Sequence, residues 1–268
     1  MEGKLKTELV VTDLTRMSKD RVCIATVNKQ CKSIRPKLVN SNFRLYWCYR
    51  EDHIIQPFTH LCLDLLEPIS NPPHTEDWTI DPNFIEIYKI IPEENRKRLL
   101  DQIIDKNVSC IFGAEIYHIE NKGYFIDSGC GSRSLGTIKV KNAYHFSHRN
   151  YGHWDYRITF EDHNSLCYRL KIVDFSFQTY IDYLRVSERK SIDYIEQYIN
   201  DIFSTRDLYF RVGLSRGWSI HPERCYLQIN SIFTCPDYLN KKCFDDYLKE
   251  ISKSPNEHTI CEDICIPF

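Results

Sequence analysis

The densest group of chemically able side chains is His74-Thr75-Glu76-Asp77-Trp78, in a loop stiffened by Pro72 and Pro73. A histidine beside two carboxylates could act as an acid and base pair or offer metal ligands. One His with adjacent acids lacks the spacing of a metal motif, and Thr or Asp after prolines also suits a turn or helix cap. The stretch SGCGSRSLG, Ser128 to Gly136, carries glycines that let backbone amides approach an anion, with Arg133 and Ser134 among them. It runs on into YHFSHRNYGHW, where Arg149 and Trp154 sit among His145, His148 and His153. Phosphate or base contact is one reading and a hairpin turn the other, since the phrase is neither G-x-G-x-x-G nor a Walker loop. No histidine is placed by spacing to activate Cys130.

Two further groups have the chemistry of nucleic-acid contact. Arg35 and Lys37, followed by Arg44, Tyr46, Trp47, Tyr49 and Arg50, combine cations for phosphates with aromatic faces for bases. If the aromatics are core, only the cations remain as a solvated edge. Arg211, Arg216 and Trp218 in YFRVGLSRGW, with Gln228 and Asn230 in CYLQIN, offer planar donors and acceptors suited to a base edge. The expected ligand-binding set is therefore Arg35, Lys37, Arg44, Trp47, His74, Glu76, Asp77, Trp78, Arg133, Ser134, Arg149, Trp154, Arg211, Arg216 and Trp218. No residue is assigned a catalytic or metal-ligating role, and no cofactor is expected.

The formal net charge of −2 is unevenly spread. Residues 1–50 carry eleven Lys or Arg against four Asp or Glu, and residues 51–105 carry four against twelve. The split gives a basic face only if the two segments do not neutralise each other on folding. Twelve cysteines lie mostly inside apolar runs, where Cys acts as a small hydrophobe, and only Cys261 and Cys265 are close, without a matching second pair. The opening MEGKLKTELV has no apolar stretch or cleavage site, and no run reaches the length of a membrane span. A cytoplasmic location with reduced thiols and no membrane partner is expected.

These residues need elements to position them. With 17 Tyr, 14 Phe and 4 Trp against 2 Met, the chain favours pleated, half-buried surfaces. Strands are expected at ELVVTD, RVCIATV, CKSIRP, FRLYWCY and FTHLCLDLLEP, with a proline-rich loop over 68–82. A helix is expected over about 92–106, where Pro92 starts it and Leu99, Leu100, Ile103 and Ile104 form a stripe. Strands resume with VSCIFG, the AEIYHIE/YFIDS hairpin around Asn121-Lys122-Gly123, SLGTIKV, DYRITFED and SLCYRLKIVD. A helix over about 187–203, strands DLYFRVGL and RCYLQINSIF, and a helix from Pro236 to about Ile251 follow. The expected fold class is mainly β with a few helices, as two tandem OB-like small β-barrels, residues 1–112 and 113–268.

VCIATVNKQCKSIRPKL, NPPHTEDW, YRLKIVDFSF, YFRVGLSRGW and CYLQINSIFTCPDYL together resemble the dual-OB-containing proteins of prokaryotic conflict and defence systems, from about Val10 to Leu239. The resemblance implies two tandem OB-like barrels that recognise nucleic acid or a nucleotide-derived ligand, beside an effector protein partner that carries the chemistry. An enzyme acting on a nucleotide or nucleic acid through the His74–Asp77 loop is the first alternative, and a protein–protein adaptor the second.

Overall fold

The computed structural model describes residues 5–39, 41–50 and 53–253; the Arg50 side chain and the Cys261–Cys265 pair lie outside the described residues. The first half contains β1 (Leu5–Arg16), β2 (Val22–Asn28), β3 (Ser33–Lys37), the short pair β4 (Tyr49–Arg50) and β5 (His53–Ile54), then β6 (Thr59–Pro68) and β7 (Asp77–Ile90). Strands β1-β2-β3-β7-β6 close into a barrel. All its pairings are antiparallel except β3 with β7, where Arg35 lies opposite Asp77 and Lys37 opposite Thr79.

β1 joins both sides of this barrel. Its first half pairs with β6 and its second with β2, and the register shifts between Val11 and Asp13. Leu9 and Val11 enter the core, and so does Leu14 rather than residue 13. The bulge resets the two-residue alternation and turns Asp13 out of the barrel interior.

After α1 (Glu93–Gln102), the hairpin β8 (Tyr117–Ile119) and β9 (Gly123–Asp127) leads to β10 (Leu135–Lys139), β11 (Asn142–Asn150), β12 (Trp154–Glu161) and β13 (Cys167–Ile172). Two helices, α2 (Phe175–Val186) and α3 (Ile192–Thr205), precede β14 (Asp207–Leu214), β15 (Arg224–Cys235) and α4 (Phe244–Ser252). The sheet order is β10-β14-β15-β13-β12-β11, with β13 parallel to β15. Only Val140 and Lys141 separate β10 from β11. The Val140 N–H donates to Leu208 O at 2.8 Å and the Lys141 N–H to Glu161 O at 3.2 Å. β10 and β11 thus act as one bent strand, pairing first with β14 and then with β12, as β1 pairs with β6 and β2. The two halves share one topology, a five-stranded Greek-key barrel of the OB type.

The barrels meet through a cluster of Phe58, Leu100, Tyr209 and Phe233, against which α1 packs Leu99. α4 bridges the halves: Tyr247 joins the second core, while Phe244 and Leu248 join the first.

Four local expectations are corrected. FRLYWCY is a 3-10 turn at Leu45–Cys48 rather than a strand, with Leu45 and Cys48 buried at the i,i+3 spacing such a turn eclipses. Residues 108–110 of VSCIFG form a second such turn, with the Asn107 side chain accepting from Cys110 N–H. The proline loop ends sooner than expected, because β7 begins at Asp77 and closes the barrel. The last helix starts at Phe244, where the Cys243 N–H donates to Asp246 Oδ2 at 2.8 Å. Helix α2 was not foreseen at all. Nine of its twelve residues are buried, so FSFQTYIDYLRV shows no polar face, and its aromatic and β-branched residues favour strands. Asp174 starts it by accepting from Phe177 N–H at 3.1 Å.

Candidate nucleic-acid interface between the barrels

A cleft of about 1540 Å³ separates the barrels on one side. The first barrel lines it with Arg16 at the end of β1, Lys19 in the turn that follows, and Arg35 and Lys37 on β3; the second adds Lys171, Arg185, Arg189 and Arg216. Against these eight cations the lining holds one acid, Asp182 on α2. Phe43, Trp154, Tyr156 and Trp218 supply aromatic surface, and Gln178, Gln228 and Asn230 supply planar amides.

The cations gather at two carboxylates. Asp77, 2% exposed, sits at the base of the first group. Arg35 Nε donates to its Oδ1 at 2.5 Å, Lys37 Nζ lies 3.9 Å from Oδ2, and Arg216 Nη2 reaches across from the second barrel to the same oxygen. Glu76 Oε1 is 4.0 Å from Arg35 Nη2, but it also accepts from the Ser134 N–H and hydroxyl. The second group centres on Asp182. Its carboxylate accepts from Tyr156 Oη at 2.6 Å and Arg185 Nη2 at 2.7 Å, with Arg16 Nη1 arriving from the first barrel at 4.0 Å. The Arg185 guanidinium lies 3.7 Å over the Trp154 ring, and that of Arg16 lies 4.8 Å over Phe175. Both groups are therefore built from both barrels.

Neither carboxylate saturates the guanidinium groups around it. Arg16 Nε and Nη2, Arg35 Nη2 and Arg185 Nη1 are buried and without hydrogen-bond partners. An unmet buried donor costs about 1–3 kcal/mol, more on a charged group. The local field points the same way, since burial and the Arg216 guanidinium hold the Lys37 ammonium below its ordinary pKa.

The barrels are locked by a third cross-barrel pair. Arg211, 1% exposed, donates from Nε to both Asp13 oxygens at 3.3 and 3.0 Å, from Nη2 to Oδ2 at 2.9 Å, and from Nη1 to Thr137 Oγ1 at 3.0 Å. The Thr12 hydroxyl donates to the same carboxylate at 2.7 Å.

Of the residues singled out in the sequence, Arg35, Lys37, Trp154, Arg216 and Trp218 line the cleft, with Asp77 beneath them. Trp218 is 59% exposed, open for stacking. Gly217 shapes this rim, because a Cβ there would lie 2.2 Å from Pro222 O. Arg211 faces Asp13 with no open side. His74, Glu76 and Ser134 are buried behind Asp77, and the Thr75 hydroxyl donates to Ser132 O at 2.6 Å. This loop ties the barrels together, with Glu76 capping a backbone amide, an arrangement that does not favour acid–base chemistry there. His74 has no hydrogen-bond partner on either ring nitrogen; burial first, then Arg35 and Arg216, push its pKa down to about 3.

Arg44, Trp47, Trp78, Arg133 and Arg149 do not line the cleft. Arg44 pairs with Asp20 at 3.0 Å, Arg133 with Asp105 and Arg149 with Glu196. Trp47 and Trp78 pack against the first core. The strand alternation expected around Arg44 and Trp47 is absent because that segment is a 3-10 turn. Part of the acidic segment does neutralise the basic one, through Asp77 on Arg35 and Glu86 on Lys6 at 3.3 Å. The sequence reading missed Arg16, Lys19, Lys171, Arg185, Arg189 and Asp182. Three of these lie on or just after α2, the unforeseen helix.

Among the described residues no group of three or more His, Cys, Asp or Glu could hold a metal ion, and no helix is long and apolar enough to cross a membrane. The ten described cysteines are free. No curated protein matches the chain. A family model described as a dual OB-containing domain matches residues 15–232, a span that begins near the end of β1, extends through most of both barrels and includes every cation of the cleft. The chain belongs to the family of dual OB-containing domain proteins.

Proposed function

We propose that this protein binds nucleic acid or a nucleotide-derived ligand in the cleft between its barrels and passes that event to a partner effector in a prokaryotic defence setting. The observation that carries the binding is the set of eight basic side chains facing one lining acid, with guanidinium N–H groups buried and unmet. Phosphates would meet the guanidinium groups, bases would stack on Trp218 and the Trp154–Arg185 face, and Gln228 and Asn230 would offer amides to base edges. The volume exceeds the roughly 300–1,000 Å³ of ordinary small-molecule pockets, which suits several nucleotide units. The resemblance to defence-associated dual-OB proteins supports the role with an effector.

Fluorescence anisotropy with labelled single- and double-stranded oligonucleotides across a salt series tests the binding. Affinity should fall as salt rises, and Arg35→Ala or Arg216→Ala should weaken it roughly tenfold or more while Lys249→Ala, on α4 and paired with Asp245, leaves it unchanged. A folded protein with no salt-sensitive affinity for any of these ligands would sink the proposal.

A further inference from the structure

The cleft's charge is divided between two places, and each has a definite surplus. At Asp77 the cations are Arg35, Lys37 and Arg216; with Glu76 counted beside Asp77, one positive charge remains. At Asp182 the cations are Arg16 and Arg185, which again leaves one positive charge. Arg189, with no ion-pair partner among the described residues, lines the cleft and adds to the field. The unmet donors divide in the same way. Arg35 Nη2 is buried without a hydrogen-bond partner in the first group, on a side chain 7% exposed, and Arg16 Nε, Arg16 Nη2 and Arg185 Nη1 are buried without one in the second.

A phosphodiester carries one negative charge, which matches the single positive surplus of each group. From these two sets of residues we infer that the cleft holds two successive phosphates of a phosphodiester-linked ligand, one at Arg35–Lys37–Arg216 and the other at Arg16–Arg185. This deepens the nucleic-acid reading and rests on it. The ligand class is a molecule with at least two phosphates and a base beside the Trp154 ring, whether a free dinucleotide or a stretch of a longer single strand. Asp77 and Asp182 are positioning residues, each holding guanidinium groups from both barrels in place for a phosphate.

Isothermal titration of the full chain with a nucleoside 5′-monophosphate, a 5′-phosphorylated dinucleotide, a cyclic dinucleotide and a 20-nucleotide single strand separates the possibilities. The dinucleotide should bind about 10–100-fold tighter than the monophosphate, and for the 20-nucleotide strand log affinity against log salt should fall with a slope of about −1.4 or steeper, about −0.7 per phosphate held. Arg216→Ala and Arg16→Ala should each cut dinucleotide affinity about tenfold and reduce that slope by about 0.7, while circular dichroism stays unchanged. Preference between the free dinucleotides and the long strand identifies the source and supports the inference either way. Equal affinity for monophosphate and dinucleotide, or a long strand bound as tightly by Arg16→Ala as by the wild type, would overturn the two-phosphate inference while leaving the cleft as a nucleic-acid site. No binding by any of the four would overturn both.

Discussion

Replacing Asp13 with Asn tests whether the barrels are held in register by one buried ion pair. The substitution keeps the side-chain shape and one acceptor but leaves the Arg211 guanidinium, 1% exposed, without its counter-charge. Two unit charges about 4 Å apart at an effective dielectric near 20 attract by about 4 kcal/mol. Stranding one partner of a buried pair costs about 3–5 kcal/mol, because the desolvation penalty of the remaining ion is no longer offset. That is a large share of the ~5–15 kcal/mol by which domains are usually stable. Replacing both partners with apolar residues removes the attraction and both desolvation penalties, so Asp13→Leu/Arg211→Met should lie within about 1–2 kcal/mol of the wild type. Urea unfolding followed by tryptophan fluorescence reads all three proteins, since Trp47 and Trp78 pack on the first barrel's core while Trp154 packs on the second's. The reasoning fails if Asp13→Asn costs less than about 1 kcal/mol, or if the double variant is less stable than Asp13→Asn.

Two further outcomes follow from the same contacts. The His148 ring is fully buried among Phe146, Trp154 and Tyr156, and burial followed by the Arg185 cation holds its pKa down to about 4, with Glu196 at 3.6 Å and Asp182 opposing and Arg149 reinforcing the shift. The folded state then binds fewer protons than the unfolded one between about pH 4 and 6.5, so stability falls as pH drops through that window, and His74 adds in the same direction. His148→Phe should remove on the order of 2 kcal/mol of this acid sensitivity, read as a smaller drop in Tm between pH 7.5 and 4.5; an unchanged drop would refute the assignment. Because the cleft draws cations from both barrels, ligand at a hundredfold excess over Kd should stabilise the fold by about 2.7 kcal/mol and recover much of the Asp13→Asn loss in thermal melts. Stabilisation of the wild type without any rescue would show that Asp13→Asn has destroyed ligand binding, and no stabilisation of either protein would refute the coupling.

Local signals in the sequence carried the antiparallel strands well. Alternation in ELVVTD and RVCIATV, the Asn121-Lys122-Gly123 turn and the stripe of α3 each depend on neighbours a few residues apart, and the structure keeps β1, β2, the β8–β9 hairpin and α3 near the expected places. The parallel pairs that close each barrel are different. Arg35 meets Asp77 and Lys171 meets Gln228 only after long excursions of chain, so no local pattern announces them. The same limit governs the site. Arg35, Lys37 and Arg216 were visible as cations near aromatics, but their common partner Asp77 stood in what read as a separate proline loop. Arg185 and Asp182 were hidden with α2, whose burial on nearly every side erases the periodicity that marks a helix. Arg211 misled for the opposite reason: on β14 it read as a donor for a base edge, yet its guanidinium is buried against Asp13 of the other barrel.

Among the described residues, three cross-barrel ion pairs explain why both barrels are needed to form this cleft. Asp13 and Asp77 of the first barrel hold Arg211 and Arg216 of the second, and Asp182 of the second holds Arg16 of the first. Each carboxylate thus does structural work across the boundary, yet at Asp77 and Asp182 the cations outnumber the acid that binds them. The difference lies in access. Asp13 and Arg211 match one to one, with Thr12 and Thr137 completing their hydrogen bonds, and neither side chain is open to solvent. The other two groups place cations in the cleft wall and carry excess positive charge, so an anion can bind there without first breaking the contacts that hold the barrels together. A bulge at the start of this arrangement makes the separation possible. By turning Asp13 outward while Leu14 fills the core, it sets a closed ion pair beneath the open ones, so the joint between barrels and the surface that receives a ligand are built from the same strand without competing for the same charge.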